Sequence, residues 1–407
     1  MIRTILFAAC ICLTVCKPAA ANAPYGTYGE PNPFPRMDYS VPFDASDTRI
    51  MSTILRLTDE QQQVLDQSHA ELVRSVNREA DTVHATLLDL TDQSILARDS
   101  GSFDRANRLV WEWLEIRTKL GDDFIAEVRL LLTPEQLEAW PAVEQAIRRR
   151  RLLPTGLLTG ETLDLFRLID ETEPEWQSNP DVLAVLDLYA IRLDAALRAR
   201  EEYISLDRMG DYFNAGRDDP EKAIGMYQEA KKLRDRVRRV NLEFLSALQR
   251  TLTPDAAKRI EERFYEQAIQ ARLSDSPILK RITATRNLPQ LDEDQRALIA
   301  AELDRTHEQR HTIRKRLFEI MAEIETETIY SSLAYELYEI DPEKGQEWID
   351  LYNEKHAEFV EVRQSQLELE RSMWTRISPL LSLRQRRELP VPNDEYIHVE
   401  EFNSYFL

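Results

Sequence analysis

The stretch "LTPEQ", Leu132 to Gln136, repeats almost letter for letter an earlier one, "LTDEQ", Leu57 to Gln61. Both follow one physical logic. Thr58 or Thr133 caps the free backbone N–H groups of a helix start, and Gln61 or Gln136, three residues on, reaches back to complete a capping box. Pro134 stands at the first helical position, where its fixed φ is favourable and its missing N–H costs nothing. Leu132 and Leu137 occupy the two positions of a hydrophobic staple. Each motif therefore starts a helix and sets its entry angle, and the chain between the two is long enough for a pair of long helices.

Working outward, apolar residues recur every three or four positions from about Ser52 onward, the signature of amphipathic helices. The most continuous segment runs from Asp292 to about Glu339, with Ile299, Leu303, Ile313, Leu317, Ile320 and Ile324 on one stripe. Helices of that length reach roughly 60–70 Å at 1.5 Å per residue, which points to elongated hairpins or bundles. Only ten glycines occur in 407 residues, which argues against a β-rich fold with many tight turns.

Weaker versions of the opening motif follow. "LTPDA" from Leu252 keeps the leucine, threonine, proline and acid, while "LDEDQ" from Leu291 and "LSLRQ" from Leu381 keep the leucine, a capping residue and the glutamine. "DPEK" occurs at Asp219 and again at Asp341, with Asp as cap and Pro in the first position. The offset between related stretches is about 120 residues, a spacing that fits an internal repeat. The expected architecture is all-α, built as long antiparallel helical hairpins in about three degenerate repeats, over residues 52–158, 159–275 and 276–389.

At the N-terminus, "MIRTILFAACICLTVCKPAAANA" has a positive start, an apolar run and a small-x-small end at Ala21-Asn22-Ala23. It reads as a secretory signal peptide, residues 1–23, cut after Ala23, which places the mature chain in the periplasm or outside the cell. The alternative takes "LTVC", ending at Cys16, as a lipoprotein box. All three cysteines, Cys10, Cys12 and Cys16, lie in this segment, so a mature exported chain folds without disulfides. Residues 24–51, rich in Pro, Gly and Tyr, read as an extended linker, and residues 390–407 as an extended C-terminal tail.

Composition narrows the partners. A formal net charge of −20 repels nucleic acid and anionic lipid, so neither is expected, and no second apolar run is long enough to insert in a membrane. Arg148 to Arg151 read as a cationic helix C-terminus that complements the macrodipole. The tryptophans at 111, 113, 140, 348 and 374 fall within helical periodicity and read as core anchors. There is no mature cysteine nucleophile, no glycine-rich phosphate loop and no G-x-S-x-G elbow, and no cofactor is expected.

One stretch argues for chemistry. His307-Glu308-Gln309-Arg310-His311 fits H-E-x-x-H, in which two histidines at i and i+4 hold zinc and the glutamate activates a bound water. At about 100° per residue, however, both histidines lie well off the Ile299–Ile324 stripe, facing outward or sideways from the core on one long helix. The expectation is no catalytic site and no resident metal; metal capture by His307 and His311 is the lesser alternative.

The two intact motifs, Leu57-Thr58-Gln61 and Leu132-Thr133-Gln136, flanking a long-helix pair in an exported, glycine-poor chain, resemble those of the Spy and CpxP family of periplasmic stress proteins and their zinc-resistance-associated relatives. The likeness is clearest over residues 52–151. It implies a cradle-like hairpin fold and a role without catalysis, binding protein clients or a sensor protein, with a homodimer among the expected states. This chain is about three such units long and acidic, whereas the chaperone members carry a basic client-binding surface. The expectation is a non-enzymatic, protein-binding chaperone or adaptor of envelope stress. Its rivals are a zinc hydrolase centred on His307, Glu308 and His311, and a structural scaffold of the envelope.

Overall fold

The computed structural model describes residues 41–97, 100–204, 219–271, 273, 276–327 and 341–390, and every regular element among them is helical. The signal peptide, most of the linker and the C-terminal tail expected from the sequence lie outside these residues. No described helix is long and apolar enough to cross a membrane. The chain divides into two compact units, with described residues 41–150 in the first and 151–390 in the second, so the segments expected as second and third repeats share one unit.

The first unit holds α1 (Ala45–Leu55), α2 (Asp59–Ala97), α3 (Ser100–Leu130), α4 (Pro134–Glu138) and α5 (Trp140–Leu152). Helices α2 and α3 pack as a hairpin, about 58 Å long on the α2 side at 1.5 Å per residue. Among the described side chains of α2 the buried ones are Leu65, Leu72, Val76, Val83 and Leu87, spaced 7, 4, 7 and 4. That is an 11-residue period, close to the natural pitch of a straight helix, so the seam stays on one face with little supercoiling. Trp113 and Phe124, also eleven apart, fill the facing side, and Trp140, Val143 and Ile147 of α5 close the core.

Helix α1 corrects the reading of residues 24–51 as extended throughout. Asp44 accepts from the Ser46 and Asp47 N–H groups, and the Asp47 carboxylate takes the Asp44 N–H at 3.0 Å, an all-acidic capping box that sequence inspection passed over. Asp47 is fully buried, and Arg150 reaches it at 2.6 Å and Asp44 at 2.9 Å. The end of the arginine run thus carries a specific ion pair as well as its dipole complement.

The second unit contains α6 (Leu165–Thr172), α7 (Pro180–Tyr203), α8 (Pro220–Thr251), α9 (Pro254–Gln270), α10 (Pro277–Arg286), α11 (Glu293–Arg305), α12 (His307–Glu327), α13 (Pro342–Ile377) and α14 (Leu383–Glu388). Each of α7, α8, α9, α10 and α13 starts with a side-chain cap followed by proline. Helices α6 to α9, α12 and Phe359 of α13 enclose one core around Leu168, Tyr189, Leu193, Phe264 and Ile320. A second cluster joins α10, α11 and the end of α13 around Ile282, Ile299, Met373 and Ile377.

The continuous helix expected from Asp292 is broken at Thr306, which ends α11 with φ −97° and ψ −1° and turns its hydroxyl back to the Glu302 carbonyl at 3.1 Å. Threonine competes with the backbone for that carbonyl, and the apolar pattern on either side conceals the resulting step. Residues 328–340 of the expected helix are outside the described residues.

Candidate functional site

The motif glutamines meet. The amide nitrogen of Gln61 donates to Gln136 Oε1 at 2.8 Å and to the Leu131 carbonyl at 2.7 Å. Gln136 answers with bonds to Gln61 Oε1 at 3.0 Å and to the Leu55 carbonyl at 3.1 Å. Each oxygen also accepts from its own cap, Thr58 N–H at 3.0 Å and Thr133 N–H at 2.9 Å. Leu57 and Leu132 pack against the core beside this clasp. A glutamate serves a capping box equally well but has no N–H to donate, so the clasp explains why both motifs end in glutamine. Sequence reasoning gave the caps and missed the bond between them.

The same clasp recurs in the second unit. Gln295 donates to the Leu380 carbonyl at 2.7 Å and Gln385 donates to the Gln290 carbonyl at 3.0 Å, with the two amides also bonded to each other. Asp292 and Ser382 replace the capping threonines.

The H-E-x-x-H stretch opens α12 rather than lying inside a longer helix, and its histidines face sideways from the core. They turn to α9: His307 Nε2 stands 2.7 Å from Glu262 Oε1, off the line of a hydrogen bond, and His311 Nε2 stands 3.8 Å from Glu261. The His311 ring lies 5.9 Å from that of Tyr265. They meet a neighbour there because α9 packs along that flank of α12, which a helical wheel does not show. Glu308 is solvent-exposed and paired with Lys258, whose hydrogen bond and charge hold its carboxyl below the usual range. A general base must instead face the metal-bound water. Among the described residues no group of three or more His, Cys, Asp or Glu side chains is placed to hold a metal ion.

The charged interior of the second unit was not foreseen. A buried loop, residues 156–163, runs beside α8, and polar side chains satisfy its backbone. Glu161 accepts from the Leu157 and Leu158 N–H groups at 2.7 and 3.0 Å, Glu325 accepts from the Thr159 N–H and hydroxyl, and Asn241 donates to the Gly160 and Leu163 carbonyls. Arg200 and Arg234 pair with Glu161, and Arg238 with Glu325 at 3.0 Å. Burial pushes the Glu161 carboxyl up, but Arg234, Arg200 and the backbone donors together outweigh it and leave it lowered. The available signal was polar residues at 234, 238 and 241, spaced 4 and 3 along the buried face of α8.

Helix α7 has a second apolar face. Its inner side buries Val182, Leu186, Tyr189, Leu193 and Leu197. Its outer side carries Ala184, Leu188, Ile191 and Ala195, spaced 4, 3 and 4, all exposed, with Leu188 at 53% and Ile191 at 57%. Asp181 and Asp187 flank the N-terminal half of this stripe and Arg192 and Arg198 the C-terminal half. An a/d-type seam facing solvent is the pattern of a helix face that receives a partner. Comparisons with family models, with curated proteins and with solved structures gave no match.

Proposed function

We propose that this chain is a non-enzymatic, exported protein that binds other proteins, taking apolar segments of unfolded or stressed envelope proteins on the outer face of α7. The observation that carries the reading is the Ala184–Leu188–Ile191–Ala195 stripe, an apolar seam in heptad spacing on a helix whose other side is already committed to the core. The apolar run and Ala21-Asn22-Ala23 end at the N-terminus support export. The L-T-x-x-Q motifs support kinship with periplasmic stress proteins, and the placement of Glu308 on Lys258 weighs against a hydrolase.

A suppression assay tests the reading: the mature chain is added to urea-unfolded α-lactalbumin as it is diluted into buffer under reducing conditions, and aggregation is followed by light scattering. About half of the Leu188 and Ile191 side chains remains to be buried, worth roughly 1 kcal/mol each, so Leu188→Glu with Ile191→Glu is expected to weaken client binding about thirty-fold. Full suppression by that variant, with helix content unchanged, would refute the assignment of the face. A stable dimer that the same two substitutions dissociate would show that the seam serves a second copy of the chain instead.

A further inference from the structure

The outer face of α7 also specifies the form of what it receives, an inference that rests on the protein-binding reading above. In heptad terms Ala184 and Ile191 stand at d, Leu188 and Ala195 at a, Asp187 at g and Arg192 at e. The positions that face water in an isolated coiled coil are here turned inward, with Leu186 and Leu193 at f and Tyr189 at b buried in the core. The exposed seam runs about 16 Å from Ala184 to Ala195, with two large residues in the middle and a small one at each end. Small ends let a second helix approach closely.

Two physical arguments select the partner, and the backbone comes first. An extended segment needs partners for its own N–H and C=O groups, which a sheet edge supplies and a helix face does not. Every regular element among the described residues is helical, α7 included, so no such edge is on offer there. An amphipathic helix arrives with its backbone already satisfied, and its three- and four-residue spacing fits its side chains between those of the seam. Charge comes second. Asp187 and Arg192 flank the Leu188–Ile191 pair, one acidic and one basic. Asp187 is exposed, and Arg192 is 58% exposed and reaches Glu243 only at 3.8 Å, which leaves both able to turn toward a partner. A helix that sets a base beside Asp187 and an acid beside Arg192 makes two favourable pairs, whereas one flanked by a single sign makes one and loses the other to repulsion.

We infer that α7 receives an amphipathic helix of a client protein, its apolar seam on Leu188 and Ile191, a basic residue on the Asp187 side and an acidic residue on the Arg192 side. A second copy of α7 would satisfy the same charges. A seam about 16 Å long and one helix, about 10 Å, wide covers far less than the roughly 800 Å² per partner of a stable interface, so it suits transient capture better than a dimer.

Dye-labelled three-heptad peptides are the probes, each too dilute to pair with itself, and the full mature chain is titrated into them with binding read by fluorescence anisotropy. A peptide with leucine at a and d, glutamate at g and lysine at e is expected to bind at least tenfold more tightly than an isomer of the same composition with its leucines at every second position. A heptad peptide with glutamate at both g and e is expected to bind the wild type about threefold more weakly than the mixed one, and Asp187→Arg to reverse that order. Arg192→Glu gives the mirror test with lysine at both positions. Equal binding of the alternating isomer would overturn helix recognition and leave the protein-binding reading standing. So would binding of neither peptide while aggregation suppression persists and depends on Leu188 and Ile191. An unchanged order in both charge variants, with helix content unchanged, would overturn the charge assignment. A peptide-free dimer that Asp187→Arg dissociates would give the seam to a second copy. Suppression that survives Leu188→Glu with Ile191→Glu would remove the protein-binding reading of this face, and the inference with it.

Discussion

Replacing Gln136 with glutamate separates two accounts of the L-T-x-x-Q motif. If the motif is only a helix cap, the substitution is neutral or slightly stabilising, because a glutamate at that position still accepts the Thr133 N–H and adds a negative charge at a helix N-terminus. If the clasp matters, two donations disappear, to Gln61 Oε1 and to the Leu55 carbonyl, and a carboxylate oxygen is left facing two other oxygens. Two net hydrogen bonds are worth about 1 kcal/mol each, and a part-buried carbonyl left without a donor adds about another 1 kcal/mol or more. The expected loss is about 3 kcal/mol, a large share of the 5–15 kcal/mol typical of a domain. Hydrogen exchange read by mass spectrometry over α2 and α3 reports the first unit by itself, and the loss is expected there and not over α6 to α9. The introduced carboxyl gains a donor when protonated, so its pKa is raised in the folded state. The deficit is therefore full above that raised pKa and shrinks as pH falls through it to the ordinary carboxylate value. A Gln136→Glu variant as stable as the wild type at neutral pH would refute the clasp as a source of stability.

Gly160→Ala is expected to cost at least 2 kcal/mol in thermal unfolding: φ there is +81°, and a Cβ would stand 2.8 Å from Phe318 Cε2. Glu161→Gln leaves Arg200 and Arg234 buried without their carboxylate and is expected to destabilise by about 3–5 kcal/mol in urea titration. Because the folded Glu161 pKa is lowered, its contribution in the wild type is present above the ordinary glutamate range and is lost as pH falls through the folded value, a loss that Glu161→Gln removes. His307→Ala is expected to change stability by no more than about 1 kcal/mol and to leave the metal content of the purified protein unaltered; stoichiometric zinc that vanishes in this variant would restore the hydrolase reading.

The helices were legible because their ends are written locally. Thr133-Pro134, Asp219-Pro220, Thr253-Pro254 and Asp341-Pro342 all begin helices where the capping rules place them. Two kinds of information were not local. The break at Thr306 sits inside an apolar stripe that continues on both sides of it, and the packing of α9 against the flank carrying His307 and His311 is set only when the helices assemble. Asp44 and Asp47 box α1 with two acids, a combination easily read as linker.

The partners of Gln61, Glu161 and Glu325 lie 75, 39 and 87 or more residues away, at Gln136, Arg200 and Arg238. Sequence spacing does not encode those pairings until the helices are packed. The outer seam of α7 was visible in principle, since Leu188 and Ile191 complete a second stripe, but only burial of the opposite side shows that it is surplus to the core.

The glutamine clasp of the first unit sits at the end of the α2–α3 hairpin opposite the connection between those helices, about 58 Å from it. Contacts near the connection close short loops, whereas the clasp needs both helices to have returned over their full length. Loss of the clasp, as in Gln136→Glu, is therefore expected to accelerate unfolding more than it slows folding, which stopped-flow rates in urea check. The motif works as a latch at the open end of the hairpin, joining the entry of one long helix to the exit of the other.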